Sequence, residues 1–116
     1  MTTEKYATAS EGLLQKAKTY LAEGDLVQAS EKGWGAAAQA IKAVAEARGW
    51  QHNVHRQLFE VLARLLDETG DTEIRRQFLI ANALHTNFYE NWLTRGDVEA
   101  GVQEVDALLS RLRPLM

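Results

Sequence analysis

The chain has no cysteine and only one proline in 116 residues. Without thiols there are no disulfides, zinc ribbons, iron–sulfur ligands or thiol nucleophiles. With one proline and eight glycines, little sequence is available for long irregular loops. No run of eighteen apolar residues occurs, so no segment reads as a membrane span and no membrane partner is expected. The polar start MTTEKYATASEG lacks the cationic opening and apolar stretch of a secretory signal, so a cytoplasmic location is expected. An excess of positive charge is missing too. Thirteen Lys and Arg against sixteen Asp and Glu leave a net charge of -3, which argues against a general nucleic-acid coat.

What is present suits one core. Hydrophobic residues make up 46% and charged residues 25%, close to the globular norm, and residues 1–116 read as a single helical-bundle domain. Three Gly-Asp pairs, Gly24-Asp25, Gly70-Asp71 and Gly96-Asp97, punctuate amphipathic runs. Glycine closes a helix in the left-handed conformation, and aspartate accepts hydrogen bonds from the free amides of the next. Gly49 is a fourth stop and Asn53 a candidate start. The pattern predicts five helices over 8–23, 25–48, 53–69, 71–91 and 97–112. No alternating β-branched run competes with them. The fold class is therefore all-α, and the short connections favour an up-and-down bundle.

Apolar steps of three and four residues support this reading. Val98, Val102, Val105, Leu109 and Leu112 form one stripe; Val54, Leu58, Val61 and Leu65 form another. Ile74, Phe78, Ala81, His85, Phe88 and Trp92 form a third. The first helix is weaker, with Leu13, Leu14, Ala17, Tyr20 and Leu21 as core candidates. The second is small and nearly uncharged around Gly33-Trp34-Gly35. Each glycine costs a helix interior about 1 kcal/mol relative to alanine, so close approach of a neighbouring helix is the expected reason for them. Such a helix belongs at the centre of the bundle or in a subunit interface. With Trp34, Trp50 and Trp92 it suggests a homodimer.

The densest polar group is Arg48-Gly49-Trp50-Gln51-His52-Asn53-Val54-His55-Arg56. Arg48, His52, His55 and Arg56 would meet a phosphate at a helix N-terminus, where free amides add their own positive field. The plainer alternative is a histidine cap with Trp50 folded over the end of the core. No Glu-x-x-His or His-Glu-x-x-His pair supplies further metal ligands, so neither a metal nor a cofactor is expected. Ser10, Ser30 and Ser110 lie in no nucleophile turn, and Gly33-x-Gly35 lies inside a helix, where it is no phosphate loop. His85, in an apolar stripe, is expected to be a neutral core histidine.

The run AEGDLVQASEKGWGAAAQAIKAVAEARGWQHNVHRQL, residues 22–58, and the later LHTNFYE, residues 84–90, resemble the helical HEPN-like proteins, especially their archaeal PaREP branch. The resemblance implies a four-helix core with one extra short or terminal helix, and frequently a homodimer. It also implies either binding of a nucleotide or a ribonuclease of toxin type with a nucleotidyltransferase partner. The ribonuclease branch carries an arginine four to six residues before a histidine, near the start of a late helix. Arg48 and His55 have six residues between them, but they fall between the second and third helices. Arg76 is separated from His85 by eight residues. The leading expectation is therefore a non-catalytic homodimeric module that binds nucleotide, RNA or protein. A metal-independent endoribonuclease, with His55 as acid or base and Arg48 on the phosphate, comes second. A helical-repeat scaffold comes third, since no 34-residue self-similarity is visible.

Overall fold

A computed structural model describes residues 1–116 as five helices with no strand. They are α1 (Thr3–Glu23), α2 (Leu26–Arg48), α3 (His55–Thr69), α4 (Thr72–Glu90) and α5 (Arg95–Leu112), followed by one 3-10 turn, Arg113–Leu115. Two of the Gly-Asp pairs act as the sequence suggests. Gly24 and Gly70 adopt φ of 81° and 68° and close α1 and α3. The carboxylates of Asp25 and Asp71 then accept from the amides of Gln28 and Glu73.

Three helix starts differ from the sequence reading, each for a capping reason. α1 begins at Thr3 and not at residue 8, because Thr2 Oγ1 accepts from Lys5 N at 3.2 Å. Glu4 also sits at the positive end of this helix dipole. α3 begins at His55 and not at residue 53, because Gln57 Oε1 accepts from the amides of Asn53 and Val54 and holds both outside the helix. α5 begins at Arg95, where Thr94 and Asp97 cap each other: Asp97 N donates to Thr94 Oγ1 at 3.3 Å, and Thr94 N to Asp97 Oδ2 at 3.0 Å. Gly96-Asp97 is thus part of a first turn and not a junction.

α1, α2, α4 and α5 form the four-helix core, with α2 touching every other helix. The additional helix is α3, the shortest at 15 residues, laid over α2 and α4. The small-residue helix is therefore central. Ala29, Gly33, Ala36, Ala37 and Ala40 are all buried within this one chain. The reason is visible at Leu84 of α4. A Cβ built on Gly33 would lie 3.0 Å from Leu84 Cδ1, and one on Gly101 of α5 would lie 2.8 Å from Leu84 Cδ2. Two helices narrow to glycine so that one leucine can enter between them.

The stripes hold in their middles and fail at their ends. Val54 is 53% exposed, because it precedes α3, and Trp92 is 67% exposed. Asn91, with φ of 51°, ends α4 and turns the chain off its helical path before Trp92 is reached. Asn87 is buried instead. Its Oδ1 accepts from the amides of Trp92 and Leu93 at 2.9 and 2.8 Å, and its Nδ2 donates to Ser30 Oγ of α2 at 2.9 Å. A wholly buried amide is tolerated because its bonds are filled. No helix is long and apolar enough to cross a membrane.

Candidate functional site

The basic cluster read from the sequence divides when the chain folds. Arg48 turns away from the start of α3. Its guanidinium grips Glu68 near the end of α3 through Nε and Nη2, and Nη1 donates to the carbonyl of Leu115. Its charge also lies over the Trp50 ring, 5.6 Å from the centroid. Arg64 covers the same ring at 5.1 Å, so Trp50 does fold against the end of the core. The ion pair holds the Glu68 carboxyl below its ordinary range. Arg48 is a strut joining α2, α3 and the C-terminal turn. Arg56 is the opposite case: it is exposed and pairs with Glu60 one helical turn on, at 3.2 Å.

The two histidines remain together. His52 and His55 both line a cavity of about 270 Å³ between α2 and the start of α3, with Trp34, Gln39, Lys42 and Asn53. α3 presents its positive end here, and the side chain of its N-cap residue, Val54, has no oxygen with which to cover the amides of His55 and Arg56; only that of Gln57 is met, by the Val54 carbonyl at 2.9 Å. Lys42 adds a charge with no carboxylate within 4 Å; its nitrogen lies 6.0 Å from the centroid of the Tyr6 ring. The chemistry of this mouth is that of an anion site.

His52 is only 6% exposed. Its Nε2 lies 2.8 Å from Glu46 Oε2, and this bond is the main reason the Glu46 carboxyl is held below its usual range. Nδ1 is buried with no partner in the protein. The Tyr6 ring meets the imidazole edge-on at 5.2 Å. His52 also borders a second space of about 350 Å³, lined with Tyr6, Glu46 and Asn53 among others.

His55 opens a second feature of the mouth. Its ring stacks on Trp34 at 5.0 Å and on His85 at 5.4 Å, and His85 lies 4.9 Å from Trp34. Three rings from α2, α3 and α4, inclined to one another by 28° to 32°, therefore meet at a half-open surface. Asn82 Oδ1 orients His55 through Nε2 at 3.2 Å, and Tyr89 stands edge-on to His85. Burial, with the imidazole of His55 as a smaller cause, pushes the pKa of His85 down. His85 is therefore a neutral ring, as the sequence suggested, but it edges the candidate site and makes no hydrogen bond. No three His, Asp or Glu side chains converge in a way that would hold a metal ion.

Sequence reasoning missed Lys42, and it treated Trp34 and His85 as unconnected. The signal for Lys42 was there: it is the one charge in the small, apolar stretch from Gly33 to Ala45 of α2, two steps of four after Trp34. The meeting of His55 and His85 had none, because it depends on how α3 lies across α4.

The profile of the archaeal PaREP1/PaREP8 family matches residues 5–109. A protein from Sulfolobus solfataricus of known crystal structure is similar at 29% identity, with a TM-score of 0.80 over 92% of this chain and 95% of that one. No curated protein gives a significant match.

Proposed function

The chain belongs to the archaeal PaREP1/PaREP8 family, and we propose that it works as a non-catalytic, homodimeric HEPN-like module that binds a phosphate-bearing ligand, a nucleotide or RNA. The observation that carries this reading is the cavity at the start of α3, where Lys42, His52 and His55 surround an uncapped helix N-terminus beside the Trp34 ring. Free amides and the unpaired Lys42 suit a phosphate, and the stacked rings suit a base. For the dimer, support comes from the outer face of α4 and α5. There Leu79 is 51% exposed, and Ile80, Ala83, Leu93 and Ala100 line an apolar groove.

The test is a titration of a short labelled single-stranded RNA at two salt concentrations, with sedimentation of the free protein alongside. Lys42→Ala and His55→Ala should each weaken binding, and Lys42→Ala should also lower the salt slope by about one unit per lost phosphate contact. Absence of binding by the wild type would refute the reading.

One observation favours a second reading, an endoribonuclease. His55 and His85 stand 5.4 Å apart, and two imidazoles at such a spacing can divide acid and base work. Cleavage measured on the same samples decides it. An RNA cut by the wild type but not by His55→Ala would replace the binding module with the nuclease.

A further inference from the structure

We propose that α3 docks and undocks as a unit of its own while α1, α2, α4 and α5 stay folded, and that a ligand in the cavity at its start holds it docked. The first half stands on the packing alone. The second rests on the anion-site reading above and adds how that site is regulated.

The helices are tied together in two different ways. Inside the four-helix core, buried hydrogen bonds run from Ser10 Oγ of α1 to the Ala36 carbonyl of α2 and from Asn87 Nδ2 of α4 to Ser30 Oγ of α2, both at 2.9 Å. Ion pairs join Lys18 of α1 to Asp106 of α5 and Arg76 of α4 to Glu104 of α5. No buried hydrogen bond joins α3 to another helix. Its polar ties to α2 and α4, Glu68 with Arg48 and His55 with Asn82, are exposed, one at each end. Between them one apolar face holds it, Leu58, Val61, Leu62 and Leu65, while Glu60, Ala63 and Asp67 are exposed. The other four helices pack on one another without it. A helix of 15 residues is marginal in water by itself, so α3 lifted from its seat unravels. The unit has definite limits. Gly70 ends it, and Gln57 binds Asn53 and Val54 to it, whereas His52 stays with Glu46 of α2.

The cavity is divided by the same limits. Trp34, Gln39 and Lys42 belong to α2; Asn53, His55 and Leu58 travel with α3. A ligand touching both halves therefore binds the docked form only, and such binding stabilises that form by mass action. In return, the apparent affinity falls with the fraction of chains in which α3 is docked.

Hydrogen exchange read residue by residue on the full chain tests both halves. In the free protein the amides of α3 should exchange together, about a hundred-fold or more faster than those at the centre of α2. Val105→Ala makes a cavity at a fully buried position of α5. It should speed exchange in the core by about ten-fold or more and leave the rate of α3 unchanged, because that cavity is the same whether α3 is docked or not. Inorganic phosphate at about ten times its calorimetric dissociation constant should slow exchange in α3 about ten-fold. If α3 in the wild type exchanges as slowly as the centre of α2, or if Val105→Ala speeds both alike, the molecule opens as one unit and the proposal fails. If phosphate binds but leaves the rate of α3 unchanged, the coupling fails and the anion is held by α2 alone. If phosphate does not bind, the anion site fails, and fast exchange confined to α3 still supports the separate unit.

Discussion

Alanine at Gly101 should destabilise the protein even though alanine is the better helix former. The gain in helix propensity is about 1 kcal/mol. Against it, the new Cβ would stand 2.8, 3.2 and 3.3 Å from Cδ2, Cγ and Cδ1 of Leu84. Three atoms of one side chain, including its branch point, are too close for a turn of a terminal methyl to relieve. Leu84 is itself 1% exposed, and on its far side Gly33 of α2 gives it no room to retreat. Overpacking costs about 1–3 kcal/mol, and a clash with three atoms of a boxed-in side chain belongs in the upper part of that range, about 2–3, so the net effect should be a loss of about 1–2 kcal/mol. Gly35→Ala is the control. Its Cβ would approach Leu13 Cδ1 at 3.2 Å, but Leu13 is only half-buried at the outer side of α1 and can swing away, so this variant should gain up to about 1 kcal/mol. Urea denaturation followed by helical circular dichroism measures both. Leu84→Ala alone should lose about 3–5 kcal/mol to a cavity. Added to Gly101→Ala it should cost less than the two losses summed, since the clash goes with the leucine. A Gly101→Ala protein as stable as the wild type would refute the knob-between-glycines account.

Two further outcomes follow from the site. Arg48→Ala should lower stability by about 1 kcal/mol and leave RNA or nucleotide affinity unchanged, because its contacts are Glu68, Trp50 and the Leu115 carbonyl; a marked loss of affinity at unchanged stability would restore it to the site. His85 has a pKa below its ordinary value in the folded state, so the unfolded chain takes up its proton first as pH falls. The contribution is therefore whole above the ordinary histidine range and is lost as pH falls through the lowered folded value, and His85→Gln should flatten the fall of urea midpoint between about pH 7 and 5; an unchanged slope would show that His85 does not carry it.

The helices were legible because most of their signals are local. Glycine stops at 24, 49 and 70 and aspartate starts at 25 and 71 act within a few residues, and all appear in the structure. The starts that moved were set by competition between neighbouring caps. Thr94 and Asp97 satisfy each other's amides and so take precedence over Gly96-Asp97 as a junction. Burial was legible at mid-helix, where period alone decides it. It failed at Trp92 because a single left-handed residue, Asn91, breaks the period, and at Asn87 because the turn after α4 and Ser30 on α2 together make a buried amide acceptable.

The site was legible only as far as the chain is continuous. His52 and His55 are three residues apart and share one cavity wherever α3 is placed, so that pair survived folding. Arg48 is equally near in sequence, but it belongs to the last turn of α2, and a glycine in the left-handed conformation separates it from the histidines. Beyond that bend its reach is toward the end of α3 and not its start, and the carboxylate of Glu68 there satisfies it. Lys42 replaces it as the cation because it lies six residues earlier on α2, on the side over which α3 begins. The charge needed at the cavity was therefore present in the chain, on a helix face that only the packing of α3 could select. The same packing brings His85 beside His55. A site assembled by the one helix outside the four-helix core depends on how that helix is seated. Substitutions at Leu58, Val61, Leu62 and Leu65, the buried residues of α3, should accordingly disturb ligand binding before they unfold the core.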